Sequence, residues 1–270
     1  MRIVIAKKLL SAVGGSEVQA RALGRALAAR GHEVEVVGMR PAWARPGIPS
    51  AAARGARGPV RERLDGIALT YVPVRGGAVG AALEGLLPTS LVDERLLAEV
   101  VAGADVVHSI AREWAGPIEK AARRVGAAFV ETPLVHPGQR WGGDGSADIA
   151  RYRRADAVIA LTEWEASWYR EQGATRVHVT GVGPVLESVP DVPPDPATVL
   201  FVGRKERYKG YHALREAARL VWRSRPDARF VALGQRAWHD LLTPPGGDPS
   251  WDERGVVSEE EKADAYARAT

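Results

Sequence analysis

TVLFVGRKERYKGYHALREAARLV, residues 198–221, runs from a β-branched stretch through a basic loop bounded by Gly203 and Gly210 into residues with helical spacing. The apolar run is strand-length, and Leu214, Ala217, Ala218 and Val221 then recur at the interval of one helix face. Strand, glycine-bearing turn and helix, in that order, form the repeating unit of parallel α/β sheets.

The same unit recurs on both sides of this stretch. Upstream, residues 2–6 (RIVIA), 33–38, 67–73, 105–109 (DVVHS), 127–131, 157–161 and 176–180 read as strands, several of them apolar throughout. Uninterrupted apolar strands are expected where helices cover both faces of a sheet. The clearest helix is 15–30, with Val18, Ala22, Leu23, Ala26 and Leu27 in one stripe before Gly31. Residues 90–102, 114–125 and 163–172 read as further helices. Then PVLESVPDVPPDPAT, 184–198, places five prolines in a row of positions without helical period. Proline sustains neither a helix interior nor a central strand, so this stretch is a linker. Downstream, 228–234 reads as a strand and 255–257 as a third. Ser258 and Glu261 form a capping box that opens a helix over 259–269. The expected fold is therefore α/β with two domains, 1–185 and 198–270, joined by a linker over 186–197. The first domain carries a complete doubly wound sheet, and the second about half of one.

Composition narrows the chemistry. The 270 residues include no cysteine, which excludes disulfides, thiolate nucleophiles and cysteine-ligated zinc. No run approaches the ~20 apolar residues of a membrane-spanning helix. MRIVIAKK has its apolar run before its charges, the reverse of a signal peptide, so a cytoplasmic location is expected. Between Arg40 and Arg63 lie six arginines and one acid, Glu62. That excess suits an anionic acceptor or a peripheral membrane contact, and equally a solvated Arg/Pro/Gly loop. Aromatic residues are 6% and are not interleaved with the basic ones, so nucleic acid is not an expected partner. HExxH, P-loop, GxSxG and EF-hand spacings are absent. Glu163 and Glu165 stand two apart on a helix and face different directions.

Three glycine-bearing loops remain. KKLLSAVGGSE, 7–17, joins the first strand to the first helix, and serves either as a tight turn or as a phosphate seat at a helix amino terminus. TGVGPV, 180–185, runs into prolines and lacks the helix a dinucleotide motif needs. VGRKERYKG, 202–210, lies at the carboxyl end of the second domain's first strand, where open α/β sheets bind ligands. There Arg204 can fork two donors onto a phosphate and Lys209 adds a point charge beside the next helix. Together they suit a diphosphate. His108 ends an apolar strand. His136 sits in ETPLVHPGQRWGGD, 131–144, a loop at the same sheet edge as other functional loops.

These pieces in this order (GGSEVQARALGRALAARGHEVEVV 14–37, DVVHS, ETPLVHPGQRWG, ADAVIALTEWE 155–165, GRKERYKG 203–210 and VVSEEEKADAYARAT 256–270) resemble the retaining glycosyltransferases of family four. The resemblance implies the GT-B fold of two Rossmann-like domains, here incomplete in the carboxyl-terminal, donor-binding one. It implies a nucleotide-diphosphate sugar as donor substrate, UDP-sugar first and GDP-sugar second. The acceptor is an unspecified hydroxyl, and no metal or other cofactor is bound. Gly14 and Gly15 would close on the donor, Arg204 and Lys209 would hold its diphosphate, and His136 would contact the transferred sugar near its reactive carbon. Val257 would meet the nucleobase through its backbone. The family's acidic pair, Glu-x7-Glu, would follow the helix that opens at Ser258, beyond Thr270. The alternative that this departure raises is a non-catalytic homologue that binds sugar nucleotides.

Overall fold

Arg2–Ala6 forms β1, whose successive side chains feed opposite sides of a sheet. Val4 and Ala6 join one buried cluster, Ile3 and Ile5 another. The computed structural model describes residues 1–10, 15–40, 58–64, 66–86, 91–139, 142–183, 188–236 and 250–270. It divides into two compact units, Met1–Val185 and Leu186–Thr270.

In the first unit, β1 is followed by α1 (Gly15–Ala29) and β2 (Glu33–Met39), then β3 (Val60–Leu64), β4 (Ile67–Val72) and α2 (Gly77–Leu86). Next come α3 (Glu94–Val101), β5 (Val106–Ile110), α4 (Ala115–Val125), β6 (Ala128–Thr132), α5 (Ser146–Arg154), β7 (Ala157–Ala160), α6 (Glu163–Glu171) and β8 (Val177–Val179). The strands lie in the order β3-β4-β2-β1-β5-β6-β7-β8, parallel except for β3. From β4 to β7 this is the doubly wound order, with its reversal between β1 and β5. α1 packs closely on β2: a Cβ at Gly24 would stand 3.1 Å from Val36 Cγ2. Trp114, Ala115 and Ile118 bury the opposite face beneath α4. α6 opens on an N-cap, Thr162, and Glu165 reaches back to the residue before it. Thr162 Oγ1 accepts from Glu165 N–H at 3.1 Å, and Glu165 accepts from Leu161 N–H at 2.6 Å.

The second unit holds β9 (Thr198–Val202), a 3₁₀ turn (Arg207–Lys209), α7 (Tyr211–Val221), β10 (Arg229–Leu233), β11 (Trp251–Arg254) and α8 (Glu259–Arg268). Its three strands are parallel in the order β11-β10-β9, the arrangement of one half of a doubly wound sheet. Phe230 stacks on Trp251 at 5.7 Å, and Tyr211 and Trp222 meet their edges. The predicted capping box is present: Ser258 Oγ accepts from Glu261 N–H at 3.1 Å and Ser258 N–H donates to Glu261 at 3.0 Å.

Two expectations are corrected. Arg61 and Arg63, read as part of a loop, lie on the antiparallel edge strand β3, because Val60, Glu62 and Leu64 alternate with them and turn inward. The remaining arginines of that stretch before Gly58, apart from Arg40, lie outside the described residues. The third strand of the second unit is 251–254, not 255–257: Trp251 supplies the apolar anchor and its backbone aligns with Phe230.

Candidate functional site

In the first unit, side chains gather at the carboxyl edge where β1 and β5 part. Lys7, directly after β1, is 3% exposed, and its Nζ lies 3.5 Å from Glu113 Oε2. Gly15 opens α1, and a Cβ there would meet nothing within 4 Å, so internal packing does not demand a glycine. Gly14 lies outside the described residues. Ala111, after β5, and Leu134, after β6, have φ of 65° and 58°. Non-glycine residues in this left-handed region are uncommon, and concentrate where a loop is held in one shape.

The loop with His136 follows β6. It is tied into a compact form. His136 N–H donates to Gly142 O at 2.7 Å, Gln139 N–H to His136 O at 3.1 Å, and Gly138 N–H to Asp144 at 2.7 Å. A Cβ on Gly142 would fall 1.9 Å from His136 O, so glycine is required there. The imidazole of His136 is exposed. Underneath, Tyr152 O–H donates to Gly143 O at 2.6 Å, and the rings of Tyr152, Trp168 and Tyr169 pack edge to face. Glu131, fully buried at the end of β6, receives three hydrogen bonds of 2.9–3.0 Å from Arg151, which also donates to Asp148 at 2.7 Å. Burial pushes the Glu131 carboxyl up to about 7 against the pull of that guanidinium. His108 has a structural place: its Nε2 is 2.7 Å from Thr132 Oγ1, and desolvation pushes its pKa down to about 4.

In the second unit the residues chosen from sequence come together. Arg204 and Lys209 both stand against the exposed ring of Tyr208, the guanidinium carbon 5.6 Å and the ammonium 4.9 Å from its centroid. Arg204 donates to the Tyr208 hydroxyl and lies 3.2 Å from Glu206. Lys209 is two residues before α7, in the turn closed by Gly210 at φ 79°. Both cations are exposed. Lys205 between them is different: it is 1% exposed and donates to Arg254 O at 2.5 Å, with Glu253 at 3.5 Å. Burial lowers its pKa while Glu253 opposes that. Burial also acts to raise Glu253, but the Tyr211 hydroxyl at 2.7 Å, Lys205 and Arg236 hold it below its ordinary value.

Sequence reasoning missed the base of this loop. Each strand of the unit is followed by glycine: Gly203 after β9, Gly234 after β10, Gly255 after β11. Gly203 N–H donates to Leu233 O at 3.0 Å and Gly234 N–H to Gly255 O at 2.9 Å. A Cβ on Gly234 would lie 2.0 Å from Gly203 O. The recurrence of strand-then-glycine was the available signal. Val257, half-buried, lies between β11 and the capping box, beside this edge. Among the described residues no group of three or more His, Asp or Glu side chains is placed to hold a metal ion.

Residues 14–185 match the glycosyl transferase 4-like domain. The chain belongs to that family. No curated protein sequence matches this glycosyl transferase 4-like chain. Its fold is shared by solved GT-B glycosyltransferases. Sucrose-phosphate synthase from Thermosynechococcus elongatus is 16% identical with a TM-score of 0.71, over 99% of this chain and 73% of that one. Anabaena HepE, solved in complex with UDP and glucose, is 13% identical at 0.65, over 96% and 70%. The catalytic domain of starch synthase IV from Arabidopsis thaliana, bound to ADP and acarbose, is 13% identical at 0.61, over 99% and 76%. The family match coincides with the first unit, whereas the solved structures span both.

Proposed function

We propose that this glycosyltransferase-family chain is a retaining enzyme of family four that moves a hexose or aminosugar from a nucleotide-diphosphate donor to a hydroxyl acceptor. The observation that carries the reading is the convergence of Arg204 and Lys209 on Tyr208, at the carboxyl edge of a parallel sheet. Two exposed cations on a rigid base suit a diphosphate, whose negative charge grows as the nucleotide leaves. Protein cations then do what a metal does elsewhere, and the reaction is metal-independent.

The first unit serves the acceptor and the second the donor. Gly14 and Gly15 approach the donor phosphates at the start of α1, where free N–H groups favour anions. His136, its backbone locked and its ring exposed, meets the transferred sugar near the reactive carbon. Val257 contacts the base through its backbone. HepE with UDP and starch synthase IV with ADP support a nucleoside diphosphate as the leaving group; UDP-sugar is the donor proposed first and GDP-sugar second. None of the helices among the described residues is long and apolar enough to cross a membrane. The proposed setting is cytoplasmic, with peripheral membrane contact through Arg40–Arg63.

Calorimetry with UDP tests the central assignment. Arg204→Ala and Lys209→Ala should each weaken binding by ~1.5–3 kcal/mol, the scale of a charge-assisted hydrogen bond. Unchanged affinity for UDP and GDP in both variants would remove it.

A further inference from the structure

The three-stranded sheet of the second unit has one apolar face and one of mixed character. Phe201, Phe230, Ala232 and Trp251 point into the core with α7. The alternate residues face away: Thr198 beside Arg229, Val231 beside Asp252, Leu233 beside Arg254. A parallel-sheet face fully covered by a helix is apolar. On this face Leu200, Val202, Val231 and Leu233 are apolar, while Arg229, Asp252 and Arg254 are charged and exposed. Between it and α8, with Asp195 at one end, lies a cavity of about 380 Å³.

The charges in this cavity are not equally engaged. Arg254 is held by Asp252 at 2.6 and 3.0 Å, and Arg268 by Asp264 at 2.9 Å. The guanidinium of Arg229 makes no hydrogen bond or ion pair among the described residues. Asp195 uses its backbone, its N–H donating to Arg268 O at 2.9 Å and its C=O accepting from the Thr270 hydroxyl at 2.6 Å, while its carboxylate makes no hydrogen bond among the described residues and acts on Arg268 only through its charge. Thr198, 6% exposed, has a buried hydroxyl with no partner among the described residues. Buried hydroxyls are seldom left so.

We propose that this cavity is a second small-molecule site that takes a phosphorylated monosaccharide. Arg229 forks onto the phosphate, the bidentate geometry for which guanidinium is suited. Asp195 accepts from sugar hydroxyls, and a χ1 turn of Thr198 brings its hydroxyl to the ligand. The volume falls in the ~300–1,000 Å³ range of small-ligand pockets. Five-residue strands rising ~3.3 Å per residue set the Thr198–Arg229 row roughly 15 Å from the Arg204 loop, so the two sites are separate.

Calorimetry of the 270-residue chain with glucose 6-phosphate, glucose and inorganic phosphate tests this. Glucose 6-phosphate should bind saturably and more tightly than glucose or phosphate alone. Arg229→Gln should weaken it roughly tenfold or more without altering UDP binding. Asp195→Asn should weaken glucose 6-phosphate but not phosphate. Absence of saturation, an affinity unmoved by Arg229→Gln, or loss of binding in Arg204→Ala would each overturn the site. Equal affinity for phosphate and glucose 6-phosphate would overturn the sugar half. None of the overturning outcomes depends on whether UDP binds.

Discussion

Arg151→Met should destabilise the first unit by several kcal/mol, and the cost should grow with pH. The guanidinium makes three hydrogen bonds to Glu131 and one to Asp148, and Glu131 is 0% exposed. Removing one partner of a buried pair typically costs ~3–5 kcal/mol, because the other charge is left in low dielectric. Glu131 escapes part of that cost by taking up a proton. Its carboxyl is already at about 7 with the guanidinium present, and without it the value climbs further. The folded variant then holds a proton that the unfolded chain, titrating near ~4.3, releases. Stability must therefore fall as pH rises from ~4.3 to the new folded value, by up to ~1.4 kcal/mol per unit. Urea midpoints at pH 7 and 9, with unchanged slopes, read this directly. The variant should keep losing stability above pH 7 after the parent has levelled off. The double variant Glu131→Met/Arg151→Met should recover most of the loss, since an apolar pair of similar volume is often neutral or better. A single-variant cost below ~1 kcal/mol at pH 9 would refute the reasoning, as would a double variant as unstable as the sum of the singles.

Other expectations are smaller in scale. Gly142→Ala forces a Cβ to within 1.9 Å of His136 O and should cost ~1–3 kcal/mol, with a sharpened proteolytic cut in loop 133–145 as a local readout. Ser258→Ala removes one half of the capping box and should destabilise α8 by ~1 kcal/mol, measured by amide exchange in its first turn. His108 is held near 4 against ~6.5 unfolded, so its contribution is complete above pH 6.5 and lost as pH falls toward 4. His108→Gln should flatten the stability profile over that window, which denaturation midpoints at pH 7 and 4.5 would show.

Which elements the sequence revealed follows from how each is solvated. β1, β2, β5 and β9 carry runs of β-branched residues and announce themselves, as does α1 with its single stripe. β3 reads VRERL because an edge strand faces water on alternate residues, and in an arginine-rich stretch that alternation looks like a loop. β11 is WDER for a related reason: only Trp251 and Glu253 turn toward the α7 side, and the next two valines, 256 and 257, imitate a strand. α5, SADIARYRR, hides its buried face in one arginine and a tyrosine, and Arg151 is inside only because Glu131 is there to meet it. A buried ion pair joins residues twenty apart, and nothing local marks either partner. The site divides the same way. The order of strand, loop and helix singled out Arg204 and Lys209, which the structure leaves exposed, whereas the burial of Lys205 could not be told from sequence.

That distinction bears on how the loop works. Of the cations in GRKERYKG, one is spent on the scaffold: Lys205 ties the end of β9 to Arg254 O and Glu253 at the end of β11. The glycine backbones at 203, 234 and 255 lock the same three strand ends, with no room for a Cβ at Gly234. Arg204 and Lys209 therefore project from a base that has no freedom to reorganise, steadied laterally by one aromatic ring. Fixed donors stabilise developing charge without the cost of rearrangement, and Arg204 would exchange its 3.2 Å contact with Glu206 for the incoming anion. Lys205→Met should then weaken UDP binding although the side chain is buried beneath the loop, and Lys205→Arg, too large for the same space, should not restore it.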